Sequence, residues 1–461
     1  MKDRIIQTLK ELRSYALDKG YNVSLDYLEE DSYLMRFANS AISLNTNEHL
    51  IRLDVTAYDG RKRASFDMIT DLGKVDEMKK AIDSSAELVK HAQPLNYEPS
   101  LPTFNETFID ESGFDPALAS LSNQERLAFF NQAASGLETS DIKLSGIFSN
   151  GATTLAQINT RTEHVQYFKT SDAQTTVVLA HAGLKWEVQA EQSAWSKKEL
   201  NADHLHEDLI FQLDCYKKDP SLQLPLGTYD IVFGSAATAD LIGFMNFIGF
   251  NGGLMKRGYS FLGEEKLGQK VFSDKFSLDD DTGSLDTFPF KRDAMGKVRG
   301  KFPIFTDGVF QAYCWSQDDA DEFSTQSTPH TVLHKSLVVK GGTQKVNNLA
   351  ELSKMKREMD TLYIPFLHYM NIVNPSKGIV TASSRFGALL FKKDGSIQVP
   401  YNVRVTQSLL DIFGDKVAWL SQACVPYNTS ASYGARNPTA LVVPLFMQVN
   451  GLEISHSNPS Y

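Results

Sequence analysis

VSLDYLEEDSYLMRFANSAISLNTNEHLIRLDVTAYDGRKRASF, the stretch from Val23 to Phe66, decides the fold class. Its apolar residues fall on alternate positions: Tyr33, Met35 and Phe37 first, then Ile51, Leu53, Val55 and Ala57 before an Asp59-Gly60 turn signal. A period of two is the spacing of side chains along one face of a strand, so the stretch reads as a strand meander. On either side the period changes. Lys2 to Lys19 places Ile5, Ile6, Leu9, Leu12, Tyr15 and Ala16 on one helical face and is closed by Gly20. Asp71 to Gln93 does the same with Val75, Met78, Ile82, Ala86 and Val89, and stops at Pro94.

Further on, Pro94 to Pro116 has no sustained period and reads as a connecting loop. Asn123 to Thr139 reads as a helix. Ile142 to Trp186 reads as short β-branched runs parted by an Asn150-Gly151 turn, and Trp195 to Asp214 as a helix. Pro220 and Pro225 then mark a composition shift. The expected domains are therefore 1–216, an N-terminal α/β domain of helix, sheet, helices and sheet; a linker, 217–227; and 228–461, a large, mostly antiparallel β-rich domain. That second domain carries turn signals at Asn251-Gly252, Asp307-Gly308, Asp394-Gly395 and Asn450-Gly451, and helical patterns over Ala236 to Ile248, Leu349 to Met359 and Gln407 to Phe413. The fold class expected is α+β.

With 461 residues, 42% of them hydrophobic and 22% charged, the chain has the composition of a folded globular protein and the length of two or three domains. Its 46 basic against 56 acidic residues give a net charge of −10, the wrong sign for a surface that binds nucleic acid broadly. The charged opening residues do not resemble a secretory signal, and no run approaches the length of a membrane span. A cytoplasmic location is expected. Three cysteines about a hundred residues apart fit neither a disulfide framework nor a CxxC metal site.

Few motifs for chemistry stand out. No histidine lies in HExxH or HExxxH, and there is no GxSxG elbow. His204 and His206 diverge by about 200° if they lie on a helix, so they do not chelate together there. His330 and His334 sit in a β-branched stretch, where they would be about 13 Å apart. Gly249 to Gly253 lacks the Lys and Ser/Thr of a phosphate loop and reads as a turn. Lys256-Arg257 and Lys291-Arg292 precede aromatics, a pattern that suits a peptide carboxylate or a nucleic acid backbone. The acidic run Asp279-Asp280-Asp281 lies between them, and a solvated loop is the plainer reading.

Several segments together resemble the TldD/PmbA family, also called the modulator of DNA gyrase family. They are Arg36-Phe-Ala-Asn39-Ser-Ala-Ile42 with the Arg52 to Ser65 hairpin, Gly146 to Asn150, Arg292-Asp293 through Gly308 to Tyr313, Gly341-Gly342, Ser383 to Val399, and Ser408 to Asp411, in the family's order. The resemblance implies a two-domain cytosolic peptidase working as a pair of related subunits, one of which carries the zinc motif HExxxH. Here the corresponding residues are Ala239-Asp240-Leu241-Ile242-Gly243-Phe244, and Leu445 to Ser455, similar to the family's last strand, has no cysteine. By resemblance the chain is thus the PmbA or TldE type of subunit. No cofactor is expected in this chain, and zinc is expected in a TldD-like HExxxH partner. A homodimer is the other assembly considered, and a peptide is the expected substrate. The catalytic residues stay unknown, and Asp240, Asn251 and Arg257 are the substrate-cleft candidates. Two other readings stand beside this one: a non-enzymatic protein-binding regulator of the gyrase-modulator type, and a self-sufficient peptidase with ligands such as His204, His206 and Cys424.

Overall fold

The computed structural model describes residues 1–218, 221–330, 335–429 and 436–458. Within the first 218 residues the order is helix α1 (Lys2–Asp18), strands β1 (Val23–Ala38), β2 (Ala41–Asp59) and β3 (Lys62–Thr70), helix α2 (Val75–His91), strand β4 (Phe108–Gly113), helices α3 (Pro116–Ala119) and α4 (Asn123–Ala133), strands β5 (Ile142–Asn159), β6 (Thr162–His181) and β7 (Trp186–Ala194), and helix α5 (Ala202–Tyr216). The strands form one sheet in the order β3-β2-β1-β5-β6-β4, with β7 also on β6. It is antiparallel throughout except for the β4–β6 pair. The β1–β2 turn is Asn39-Ser40, both at positive φ (50° and 63°), as a two-residue hairpin matching the strand twist requires.

One face of this sheet carries two separate apolar cores. At one end α1 and α2 bury Ile5, Leu9, Leu12, Met78 and Ile82 against Val23, Leu25, Leu53, Val55 and Ile158. At the other end α4 and α5 cover Met35, Phe37, Ile142, Leu144 and Val177. The opposite face also receives later parts of the chain, where Asn428 and Arg436 bond Asp172 and Phe290 packs on Phe168. The two halves share apolar packing, because Val232, Tyr363 and Phe446 belong to the same core as α4 and α5.

The second part begins with β8 (Gly227–Gly234), helix α6 (Ser235–Ile248) and helix α7 (Gly252–Lys256). It holds two further sheets. The nine-stranded one places β8 between Phe446–Asn458, which runs antiparallel to it, and Thr361–Ile364, which runs parallel. The six-stranded one runs Val309–Phe310, Lys301–Thr306, Leu278–Asp281, Leu337–Val339, Ala440–Pro444, Cys424–Asn428. A dense aromatic core lies within this part, with Phe272, Phe276, Phe305 and Phe413 in contact through ring centroids 4.8 to 5.8 Å apart.

Several turn signals turn out to mean something else. Asn150-Gly151 lies in the middle of the 18-residue β5, because a Cβ at Gly151 would strike the Asp31 carbonyl oxygen on β1; the glycine answers a close approach of strands. Asn450-Gly451 is a bulge inside Phe446–Asn458, with the register shifting between Val449 and Leu452. The loop expected over Pro94 to Pro116 contains β4. Asp280 of the expected solvated acidic run is fully buried, taking Arg299 Nη2 at 3.0 Å, His330 Nδ1 at 2.8 Å and the Ser336 amide at 2.8 Å. Burial pushes its carboxyl up, but His330 and Arg299 outweigh that and hold it below the ordinary range.

Candidate functional site

The turn from β8 into α6 is built on Gly234. A side chain there would press on the Tyr363 hydroxyl and Pro365 Cα, each 3.1 Å from the Cβ position, so glycine lets the helix start against the neighbouring strand. α6 buries Ala236, Ala237, Thr238, Ala239, Leu241, Ile242, Met245 and Ile248, and so lies in the core on most of its circumference. At its first turn is a cavity of about 140 Å³. Ser235 and Ala236 of the helix line it, with Glu191 from β7, His204 and Asp208 from α5, and Tyr363.

This wall is rich in acids with few counter-charges. Burial, and then the charge of Asp240, raises the Glu191 carboxyl to about 8. Burial alone raises Asp240 to about 7. Burial also raises Asp208, against the pull of His204, whose Nε2 lies 3.9 Å from Asp208 Oδ2. The phenol of Tyr427 is pushed far up by burial and by the charges of Glu191 and Asp240. At these values the Glu191 and Asp240 carboxyls are partly protonated near neutral pH and can donate as well as accept hydrogen bonds.

None of the three residues picked out from the sequence is among those lining this cavity. Asp240 sits on α6 within electrostatic range of Glu191. Asn251 is buried and caps α7, its Oδ1 accepting from the Leu254 amide at 3.1 Å. The Gly252-Gly253 pair expected in a turn therefore opens a short helix. Arg257 ends that helix and is held by the carboxylates of the helix α8 (Gln317–Phe323), with Nη1 2.8 Å from Asp319 Oδ1 and Nη2 on Glu322.

The scattered-ligand set is not gathered at one point. His204 faces the cavity, His206 bonds the Ala133 carbonyl oxygen at 3.0 Å, and the Cys424 thiol, which burial raises to about 11, lies 3.8 Å from the Val339 carbonyl. His330 stacks on Phe302 with centroids 4.5 Å apart, and His334 lies outside the described residues. Among the described residues no group of three or more His, Cys, Asp and Glu side chains is placed to hold a metal ion. At the HExxxH positions themselves the donor set does not fit zinc: Ala239 is buried in the core and has no donor, Phe244 has none, and Asp240 is a single carboxyl.

Glu191 and Tyr363 were missed in the sequence. The signal for Glu191 was the face of β7 opposite Trp186, Val188 and Ala190, where a strand with one apolar face leaves Glu187, Gln189 and Glu191. Nothing local separates Glu191 from Glu187; each lines a cavity, and only the approach of α5 and α6 puts Glu191 in the one that Asp208 and the start of α6 share.

The model of the PmbA/TldA metallopeptidase C-terminal domain matches residues 226–455. Three solved structures share the fold across almost the whole chain. TldE from Thermococcus kodakarensis has a TM-score of 0.78 at 13% identity, covering 97% of this chain and 99% of that one. A protein from Bacteroides thetaiotaomicron described as a candidate modulator of DNA gyrase scores 0.74 at 15% identity, covering 98% of each chain. One from Thermotoga maritima, similarly described, scores 0.73 at 14% identity, covering 97% and 99%. Among curated proteins no sequence match was found.

Proposed function

Because this chain belongs to the TldD/PmbA family, we propose that it is a PmbA/TldE-type subunit of a cytosolic metallopeptidase, with zinc and the water-activating chemistry supplied by a TldD-like HExxxH partner. The observation that carries this reading is the donor set on α6. The helix is present and packed, yet it offers Ala239, Asp240 and Phe244 where two histidines and a glutamate would be needed. Among the described residues no helix is long and apolar enough to cross a membrane.

On this reading the chain's own residues guide peptide and present it to the partner. Glu191, raised to about 8, and Asp240, raised to about 7, are partly protonated near neutral pH and so can both donate hydrogen bonds to a peptide backbone and accept them from it. The test is the zinc content of the purified chain after dialysis against trace zinc, together with peptide hydrolysis by the chain alone and mixed with an HExxxH-bearing relative. Zinc near zero per chain, with hydrolysis only in the mixture, is the expected result. Zinc near one per chain, or hydrolysis by the chain alone, overturns the proposal.

A further inference from the structure

A second cavity, of about 630 Å³, lies where the open face of the first sheet meets the second half of the chain. Its size is within the range of small-molecule sites. The sheet contributes Asp26 from β1 and Gln157 from β5, and the facing wall is the 290–299 segment and the start of α8. The seam around it is tied by Arg63, which holds Asp318 through two bonds of 2.7 and 2.8 Å, and by Ser100, which donates to Asp321 from its amide and its hydroxyl.

The charges in the wall are unequally matched. Each cation is already engaged: Arg63 by Asp318, Arg292 by Glu106, and Arg299 by Asp280 at 3.0 Å. Asp318 and Asp319 are matched in turn, by Arg63 and Arg257. Asp26 and Asp293 make no ion pair within 4 Å among the described residues. Asp26 is held by the Gln157 side-chain amide, and Asp293 Oδ1 accepts from the amides of Met295 and Lys297 at 3.0 and 2.8 Å. An anionic ligand would find each guanidinium already paired with a carboxylate. A cationic one would supply the direct ion-pair partner that these two half-buried acids lack, Lys297 and Arg299 acting on Asp293 only from beyond ion-pair distance.

We propose that this cavity binds a small organic cation through a primary ammonium group, received by the carboxyls of Asp26 and Asp293, with its apolar body on Leu155, Phe290 and Met295. The ammonium belongs either to the amino terminus of a short peptide or to a free amine. The titration of the site follows the same logic, because burial and the charge of Asp54 raise Asp26 to about 6 and burial raises Asp293. Affinity therefore rises from pH 5 to pH 7 as the acids ionise, and below about pH 6 binding releases protons.

The inference does not depend on the subunit reading, since binding is measured on the isolated full chain. Isothermal titration calorimetry with trileucine, N-acetyl-trileucine and 1,4-diaminobutane tests it. The expected result is binding of trileucine or of the diamine, weakened at least about tenfold by Asp26→Asn or Asp293→Asn, as loss of a charge-assisted hydrogen bond would do. Trileucine alone binding, with acetylation abolishing it, assigns a peptide amino terminus; the diamine alone binding assigns a free amine. Equal affinity for the acetylated peptide, binding indifferent to both substitutions, or no binding of either amine at millimolar concentration overturns the proposal. The acetylation comparison needs no variant, so it stands even if a substituted chain fails to fold.

Discussion

Arg436 meets Asp172 in two parallel hydrogen bonds, Nε to Oδ1 at 2.8 Å and Nη2 to Oδ2 at 2.9 Å, and so joins the last third of the chain to the middle of the first sheet. Both side chains are almost wholly buried, and the guanidinium also donates to Ser149 Oγ at 3.2 Å and to the Asp172 carbonyl at 3.1 Å. The Arg436 amide bonds Glu30. These partners alternate with the core residues along their strands, so the polar cluster lies on the face of the sheet opposite the two apolar cores. A planar fork with five donors satisfies acceptors on three strands, as a lysine ammonium would not.

Removing one partner should therefore be costly. Arg436→Ala leaves Asp172 buried without its counter-charge, and a loss of about 3–5 kcal/mol in unfolding free energy is expected. Urea denaturation of the two proteins at one pH measures it. Replacing both residues with apolar ones, Arg436→Met with Asp172→Leu, should cost clearly less than the single change. A single-variant loss below about 1 kcal/mol would show that the pair does not tie the halves together.

How far this arrangement could be read in the sequence depended on the range of the cause. Local causes were legible: the face of α1 with Ile5, Leu9 and Leu12, the Asp59-Gly60 turn with Gly60 at φ 55°, and the Asp307-Gly308 turn between two strands are all where periodicity and turn chemistry put them. Causes from distant segments were not. Gly151 looks like half of a turn pair, but it is glycine because β1 passes over it and Arg436 Nε lies 3.1 Å from where its Cβ would be. Glu191 looks like any exposed strand residue until α5 and α6 close on it. The family pattern pointed to α6, whose first turn borders the cavity; the acids of the cavity wall were not legible, because Glu191 on β7 and Asp208 on α5 meet only in the folded chain.

The acidic wall makes a signed prediction about pH. Glu191 has a folded pKa of about 8, above its unfolded value near 4.5, so the folded chain binds more protons than the unfolded one between those values. Stability therefore falls as pH rises from about 5 to about 8, and Asp240, raised to about 7, adds to the fall. Glu191→Gln removes the largest contribution. The variant should match the parent near pH 5 and exceed it by about 1–2 kcal/mol at pH 8, the full shift being reduced by the solvent that reaches the cavity. Thermal unfolding of both proteins across pH 5 to 8 decides it, and parallel curves would show that Glu191 is ionised in the folded chain throughout.

The last prediction concerns whether zinc chemistry can be put back into α6. Writing histidines at both ligand positions gives the HExxxH spacing on paper once Asp240 becomes Glu. Position 239, however, is 1% exposed and packed in the aromatic-rich core, so an imidazole there displaces neighbours and buries polar nitrogens. Ala239→His alone is expected to cost about 2–3 kcal/mol, read as a lowered urea midpoint. Position 244 is half-buried, and Phe244→His should cost less. The triple variant Ala239→His, Asp240→Glu, Phe244→His should then be destabilised without zinc, and added zinc should not recover the parent midpoint, because strain at position 239 remains when the metal is bound. Recovery by stoichiometric zinc would show that the helix kept the space for a metal after losing the ligands, and that the core at Ala239 yields more easily than its packing implies.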